Sequence, residues 1–176
     1  MAVNPSASSL NVVPVTEVFV GIGSNVEPER HIRTAVQLLR ERFGAVRVSP
    51  VYRNPAVGFD GDDFFNLVAV FESDTGFEQV HTILEEIEFS CGRVRGGPRY
   101  APRTLDIDLL LYGDLVHDTA PVLPRKDLLR YAFVLKPITD LAPDHRHPVT
   151  GRSFAEHWAE FDAASQPLVL VSIAGL

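Results

Sequence analysis

The chain has 176 residues, of which 45% are hydrophobic and 22% charged, the balance of an ordinary globular protein with one domain. The net charge of −7 argues against a general polyanion-binding surface. No apolar run approaches the roughly 20 residues of a membrane span, and the single cysteine excludes a disulfide framework within the chain. We expect residues 1–16 to be a flexible leader, residues 17–176 to form one domain, and the protein to be a cytoplasmic monomer.

The first half of the chain predicts a strand, a helix and two further strands. Residues 17–23, EVFVGIG, are apolar and β-branched and stop at glycine, which is typical of a strand. Apolar residues at helical spacing predict a helix over 28–43. Residues 46–52 and 64–72 predict the next two strands, and the turn-forming residues between them predict a loop.

Turn and cap residues mark the ends of the first helix. Pro28 suits a first helical position and Gly44 suits a stop. The stretch GIGSN, residues 21–25, completes neither the phosphate-binding loop of nucleotide hydrolases nor the dinucleotide-binding fingerprint. It predicts instead a tight turn with Ser24 or Asn25 as the helix cap.

The second half predicts one more helix and one more strand. The sequence TGFE at residues 75–78 has the form of a capping box and opens a helix that Gly92 ends. Residues 105–112 predict a fourth strand. The resulting order is the ferredoxin-like βαββαβ pattern of α+β proteins, an antiparallel sheet with helices on one face. A C-terminal extension follows, with predicted short helices and an edge strand at 127–140, 154–161 and 168–173.

Two aspartates interrupt the apolar stretch RTLDIDLLLYGD, residues 103–114. In the predicted strand, Asp106 and Asp108 share one face and lie about 6.6 Å apart. Four apolar residues then face the core under the helices: Leu105, Ile107, Leu109 and Leu111. An unpaired buried charge is costly, whereas two carboxylates suit one or two Mg²⁺ ions that also bind substrate phosphates. The simpler alternative is an exposed strand face.

Four arginines precede the aspartates within eleven residues and make up 4 of the 16 Lys and Arg of the chain: Arg93, Arg95, Arg99 and Arg103. Such a cluster, laced with glycine and proline, is either a solvated loop or an anion site. Guanidinium groups bind phosphate oxygens through paired hydrogen bonds. Because the loop leads directly into the paired aspartates, we favour a site for metal and polyphosphate.

The stretch FFNLVAVF places an aromatic ring and an amide on one face of the third strand. Phe64 and Asn66 alternate there with apolar residues that take the other face. A ring and an amide can stack on and read a flat heterocycle. Taken alone, the pair is better explained by core packing with an asparagine at the start of the strand.

In chain order, these residues resemble the 6-hydroxymethyl-7,8-dihydropterin pyrophosphokinases of the folate pathway. The resemblance rests on G-x-GSN, SPVYR-x-P-x-x-G, FFN, GRVR, PRTLDIDLL and AFVLKPI-x-DLAP, and it covers residues 18 to about 148. It implies a ferredoxin-like fold and transfer of pyrophosphate from ATP to the pterin hydroxymethyl group, with release of AMP. It also implies two Mg²⁺ ions bound with ATP. From the net charge and the lack of a long apolar run, we expect no nucleic acid or membrane partner.

The resemblance also implies the roles of individual residues. Arg93 and Arg103 would be catalytic, together with Asp106 and Asp108, which would hold the metal ions. The ATP-binding residues would be Arg93, Arg95, Arg103, Leu109, Arg125 and Lys126. The pterin-binding residues would be Asn54, Pro55, Val57, Phe64, Asn66, Asp106 and Phe133. Tyr100 would lie on a lid formed by residues 95–102.

Some positions depart from the family pattern. Arg125 and Lys126 stand where the family usually has His and often an aromatic residue, Tyr131 stands where Arg is common, and Glu85 replaces a Gln. A divergent pterin- or nucleotide-binding paralogue with altered or lost catalysis is therefore the alternative. An RNA-binding module of similar topology is disfavoured by the net charge.

Overall fold

A computed structural model describes residues 14–58, 60–92 and 104–176. Its strands are β1 (Thr16–Ser24), β2 (Val46–Val48), β3 (Val51–Asn54), β4 (Phe64–Ser73), β5 (Asp106–Tyr112) and β6 (Val169–Val171). Its α-helices are α1 (Pro28–Phe43), α2 (Phe77–Ser90), α3 (Ala132–Leu141) and α4 (Phe154–Ala159). Short 3₁₀ turns lie at Lys126–Leu129 and Ala163–Ser165.

The strands form one antiparallel sheet in the order β5-β1-β4-β3-β6, with β2 also paired to β4. This order is the ferredoxin-like arrangement that the sequence predicts, and β6 is the expected edge strand. Strand β1 lies between β4 and β5, so that Gly23 is opposite Asn66 on one side and Asp106 on the other. Three distant parts of the chain therefore meet at the end of β1.

One face of the sheet packs against α1 and α2. Each helix buries one apolar stripe, as the spacing predicts, against alternate residues of the strands. The residues of the strands and their ends on this face include Val18, Val20, Ile22, Leu67, Ala69, Phe71, Leu105, Ile107 and Leu109. Full burial of each large side chain contributes about 1.5–3 kcal/mol, so this face is the main core.

The opposite face of the sheet is covered by the C-terminal extension. The C-terminal extension folds back so that α3 and α4 pack on the sheet around Phe19, Val70 and Leu110. Residues Leu135 and Ile138 of α3 are fully buried there. A strand residue that points away from α1 and α2 therefore either packs against α3 and α4 or faces the part of the sheet surface that these helices leave open.

The predicted strand 46–52 is broken into β2 and β3. Pro50 has no N–H to donate to the ladder, and the chain bulges there. The backbone N–H of Ser49 donates to the Val68 carbonyl, and the Ser49 hydroxyl oxygen accepts from the Val68 N–H, each at 2.9 Å. The serine side chain thus replaces a missing backbone acceptor, and β3 continues towards Asn54.

A second bulge corrects the predicted direction of Leu111. Between Val20 opposite Leu109 and Phe19 opposite Leu111, β5 contains one extra residue, Leu110. Leu110 and Leu111 consequently both pack on the α3 face, whereas the sequence alternation places Leu111 under α1 and α2.

Two predicted helix caps are also wrong. Helix α2 begins at Phe77 after Gly76, so Glu78 is the second helical residue and cannot complete a capping box with Thr75. Helix α1 begins at Pro28 after Glu27, which adopts a left-handed conformation, so neither Ser24 nor Asn25 caps it. The predicted stop at Gly44, with φ of 80°, is confirmed.

Candidate active site

A pocket of about 400 Å³ lies on the α3 face, where β1 ends and β5 begins. Pockets of this size are typical of sites for small ligands. The predicted site residues that line it are Asn54, Val57, Phe64, Asn66, Asp106, Asp108, Arg125 and Phe133. The sheet register and the fold of the C-terminal extension therefore bring together residues separated by up to about eighty positions in sequence.

The floor of the pocket is formed by two glycines of β1. Gly21 and Gly23 point towards the α3 face, and both line the pocket. A Cβ added at Gly23 would lie 2.7 Å from Oδ1 of Asn66, which is closer than real Cβ atoms come. A side chain there would displace the Asn66 amide, so the glycine keeps room for it.

The paired aspartates share one face of β5, as the sequence predicts. Asp106 lies opposite Gly23 and Asp108 opposite Gly21, and both line the pocket. Between them the Ile107 side chain points into the core, and its backbone N–H donates to Oε1 of Glu88 at 2.6 Å. Glu88 lies on α2 and is only 6% exposed. This buried carboxylate accepts a hydrogen bond from a backbone N–H on the outer edge of β5, and it fixes the strand between the two aspartates.

A cation of the protein neutralises part of this acidic pair. The guanidinium of Arg125 lies 3.1 Å from Oδ1 of Asp108, and its Nε donates to Oδ2 of Asp127 at 2.9 Å. The backbone N–H of Arg125 also donates to the Leu110 carbonyl at 2.9 Å, so this residue is held against β5 itself.

The donor set fits a magnesium ion that is shared with a substrate. No group of three or more His, Cys, Asp or Glu side chains converges as a metal site in residues 14–58, 60–92 and 104–176. Mg²⁺ is usually held by one or two carboxylates and completed by water and phosphate oxygens. Asp106 and Asp108 supply such oxygens at the pocket wall, and the guanidinium on Asp108 shows that the wall attracts positive charge.

The other side of the pocket is made of amides and aromatic rings. Nδ2 of Asn66 donates to Oδ1 of Asn54 at 2.8 Å, and Nδ2 of Asn54 donates to the Pro55 carbonyl at 2.9 Å. Phe64 and Phe133 line the same space, and Phe133 stacks on Tyr131 with ring centroids 5.0 Å apart. The oriented amides and flat rings suit a planar, polar-edged ligand.

Contacts behind the pocket hold its walls in place. The Tyr52 hydroxyl on β3 donates to Oδ2 of Asp140 on α3 at 2.5 Å. Burial, and then this bond to a carboxylate, raise the pKa of Tyr52 well above its usual value. The Ser24 hydroxyl at the end of β1 donates to the Thr104 carbonyl at 2.6 Å, which ties the chain just before Asp106 to the central strand.

Some predicted site residues do not line the pocket. Leu109 lies in the core under α1 and α2, because it alternates with the aspartates along β5, and Leu110 lines the pocket instead. Pro55 contributes its carbonyl to Asn54, and Lys126 is exposed outside the lining. The predicted arginines and the lid residue lie outside the described residues: Arg93, Arg95, Arg99, Tyr100 and Arg103.

Sequence reasoning also missed residues that line the pocket. Gly21 and Gly23 alternate with large apolar residues along a strand, a pattern that marks close approach of a ligand or another group and could have revealed them. Asp127 and Tyr131 carry no comparable signal, because only the fold of the C-terminal extension brings them beside β5.

A ferredoxin-like sheet whose open end combines paired carboxylates with aromatic rings and amides defines the class of this protein as an α+β enzyme acting on small molecules. The sequence profile of "7,8-dihydro-6-hydroxymethylpterin-pyrophosphokinase (HPPK)" matches residues 19–143. The chain belongs to this family and is a diphosphotransferase.

Curated relatives agree with this assignment. The chain is 39% identical over 152 residues to a 2-amino-4-hydroxy-6-hydroxymethyldihydropteridine pyrophosphokinase of Pseudomonas aeruginosa, covering 81% of this chain and 90% of the relative. It is 38% identical over 137 residues to the protein of the same name from Methylorubrum extorquens, covering 74% and 85%.

The fold resembles the crystal structure of Plasmodium falciparum HPPK-DHPS wild type, with a TM-score of 0.69 and 10% identity over 84% of this chain. The chain spans 45% of that longer protein. This likeness supports the fold assignment alone. Among the described residues, no helix has the length and apolar character to cross a membrane.

Proposed function

We propose that this protein transfers the pyrophosphoryl group of ATP to the hydroxymethyl oxygen of 6-hydroxymethyl-7,8-dihydropterin, in folate biosynthesis. The observation that carries the proposal is that, within one pocket, β5 presents two aspartates opposite the amides and rings of β3, β4 and α3. One wall suits a metal-bound polyphosphate and the other suits a flat heterocycle. The two substrates of such a transfer would therefore meet between the walls.

The acceptor would lie between Phe64 and Phe133. The edge of the heterocycle would be read by Asn66, whose orientation is fixed by its hydrogen bond to Asn54. Val57 and the carbonyl of Pro55, which follow β3, would border the same heterocycle. In this pose the hydroxymethyl group would point towards β5, because Gly23 separates Asn66 from Asp106 in the register.

The donor would lie along β5, with Arg125 among its phosphate contacts. Arg93, Arg95 and Arg103 would bind the remaining phosphate oxygens, and residues 95–102 would act as a lid, with Lys126 at the margin of the nucleotide. Leu109 would then support the adenine site from the core side only. Positioning and charge neutralisation of this kind are what phosphoryl transfer chiefly requires of a protein.

Asp106 and Asp108 would hold two Mg²⁺ ions, which would supply positive charge to the phosphate oxygens. In the transfer, the pterin hydroxyl oxygen forms a bond to the β-phosphorus of ATP, and the bond from that phosphorus to the oxygen it shares with the α-phosphorus breaks. AMP leaves with that oxygen, and the hydroxyl proton is released. The protein aligns the two reactants and excludes bulk water.

The direct test is to incubate the full chain with ATP, Mg²⁺ and the hydroxymethyl dihydropterin and to separate the nucleotide products. We expect AMP and a pyrophosphorylated pterin in equal amounts. ADP as the product would contradict the proposal. Pterin binding without any turnover would favour the alternative of a binding paralogue. The same preparation tests the expected monomer by its mass in solution.

A further inference from the structure

Arg125 makes contacts that a role in phosphate binding does not explain. Its guanidinium bridges Asp108 of β5 and Asp127 of the following turn, and all three side chains line the pocket. The side chains are 39%, 35% and 33% exposed, respectively, so solvent and ions reach them. The bridge therefore joins one of the two strand carboxylates to an acid that is not on the strand.

The two halves of this bridge differ in how they are held. The contact with Asp127 is local, because the acid follows Arg125 by two residues and the Leu128 N–H donates to the Arg125 carbonyl at 3.1 Å. The contact with Asp108 reaches across to β5. A planar guanidinium can give up one carboxylate while it keeps another, so Arg125 can leave Asp108 without a change of backbone.

We propose that Arg125 is an exchangeable counter-ion of Asp108. It neutralises this carboxylate while no divalent cation is bound, and it yields the carboxylate to an arriving cation while Asp127 retains the guanidinium. Arg125 therefore competes with the metal and sets its affinity. The inference rests on the proposed function only in taking Asp106 and Asp108 as the metal carboxylates.

The test measures binding of Mn²⁺ alone to the full chain, by electron paramagnetic resonance of the free ion, without nucleotide or pterin. Because half-exposed ion pairs are weak, we expect Arg125→Gln to lower the Kd for Mn²⁺ by about two- to fivefold. Arg125→Lys, which keeps the charge but not the fork, should give an intermediate value. A Kd that is unchanged or higher in Arg125→Gln overturns the proposal, as does a wild-type protein that binds no Mn²⁺.

Arg130→Gln is the matched control for the loss of one positive charge. Its guanidinium carbon lies 5.2 Å from the centroid of the ring of Tyr131, a residue that lines the same pocket. If Arg130→Gln lowers the Kd as much as Arg125→Gln does, the effect is general electrostatics and the proposal fails. A clearly smaller change supports direct competition at Asp108.

Asp127→Asn tests the second half of the inference. We expect this variant to raise the Kd for Mn²⁺ when Arg125 is present, because the guanidinium then has only Asp108 as its partner. In the Arg125→Gln background the same substitution should have a smaller effect. Equal effects in both backgrounds overturn the role of Asp127. Because no substrate is present, failure of the AMP assay with these Mn²⁺ results intact would reject the proposed function and leave the counter-ion exchange standing.

Discussion

The two faces of the sheet are built from the same strands, yet one forms the main core and the other forms the pocket. Towards α1 and α2, strands β1, β4 and β5 contribute large apolar side chains that are almost completely buried. Towards α3 the same strands change along their length, from the packed residues Phe19, Val70 and Leu110 to the open end at Gly23, Asn66 and Asp106. Because successive strand residues point to opposite faces, one residue of a strand can contribute to stability while its neighbour contributes to the pocket.

The open end of the second face shows how a pocket is kept in a packed protein. Helix α3 covers part of the sheet and its first turn contributes Phe133 to the pocket wall. The glycines of β1 leave the floor empty, and polar residues of the neighbouring strands occupy its edges. The chain thus gives up apolar burial on part of one face, while the complete core on the other face maintains the fold.

Loss of Phe71 should give the largest effect on stability. Phe71 is 2% exposed on the helix-facing side of β4 and stacks on Phe43, with ring centroids 4.1 Å apart. We expect Phe71→Ala to lower the free energy of unfolding by about 3–5 kcal/mol, measured by chemical denaturation, with the KM of the remaining folded enzyme unchanged. If this variant is unfolded, Phe71→Leu gives a smaller loss of the same kind. A changed pterin KM in folded protein would contradict the claim that this face of the sheet contributes to stability and not to substrate binding.

Loss of Asp106 should give the complementary result. We expect Asp106→Asn to reduce kcat/KM for pyrophosphoryl transfer by about 10²–10³-fold, because a carboxylate that would hold Mg²⁺ at the reacting phosphates is lost. The free energy of unfolding should stay the same or rise. Asp114→Asn, which removes an exposed charge in the turn after β5, is the control and should leave both quantities unchanged. A large loss of stability in Asp106→Asn would show that the aspartate is structural.

A methyl group added at Gly23 tests how closely the pocket face is packed, by comparison with one added at Gly21. The new Cβ would lie 2.7 Å from Oδ1 of Asn66, whereas one at Gly21 would lie 3.5 Å from Leu110, an ordinary contact. Overpacking of this kind costs about 1–3 kcal/mol, so Gly23→Ala should raise the pterin KM about tenfold or more. Gly21→Ala should have a smaller effect. Equal effects of the two substitutions would contradict the specific role of the Asn66 amide.

The smallest effect on stability is expected at Tyr52, which connects β3 to α3 next to the pocket. Removal of its hydrogen bond to Asp140 in Tyr52→Phe should lower the free energy of unfolding by about 1 kcal/mol at neutral pH. Because the pKa of Tyr52 is raised in the folded state, this contribution is fully present below the unfolded pKa of about 10 and is lost as the pH rises further. The stability difference between the two proteins should therefore shrink above that pH. A difference that grows there would contradict the raised pKa.

The fold was predictable because most local signals agree with one another. Apolar periodicity predicts α1, α2 and the principal strands, and Gly44 ends α1 as expected. The exceptions are places where backbone chemistry overrides the pattern. Pro50 breaks one predicted strand, and the extra residue Leu110 turns Leu111 to the other face. Periodicity cannot reveal a bulge, because a bulge is defined by the register of two strands.

The candidate site was predictable in part. Alternation alone places Phe64 with Asn66 and Asp106 with Asp108, and the structure confirms both shared faces. Alternation also places Leu109 under α1 and α2, away from the pocket. The pairing of Arg125 with Asp108 and Asp127 has no signature in sequence, since it depends on how the C-terminal extension returns to β5.

The sequence by itself determined the order of the principal strands and helices, the family and, outside the two bulges, which residues of a strand share a face. All of these follow from local periodicity and short motifs. Only the tertiary structure decided that Asp127 and Tyr131 lie beside β5, that Glu88 fixes β5, and that an arginine neutralises Asp108. These features depend on contacts between distant segments, whose geometry is set by sheet register and helix packing rather than by neighbours in the chain.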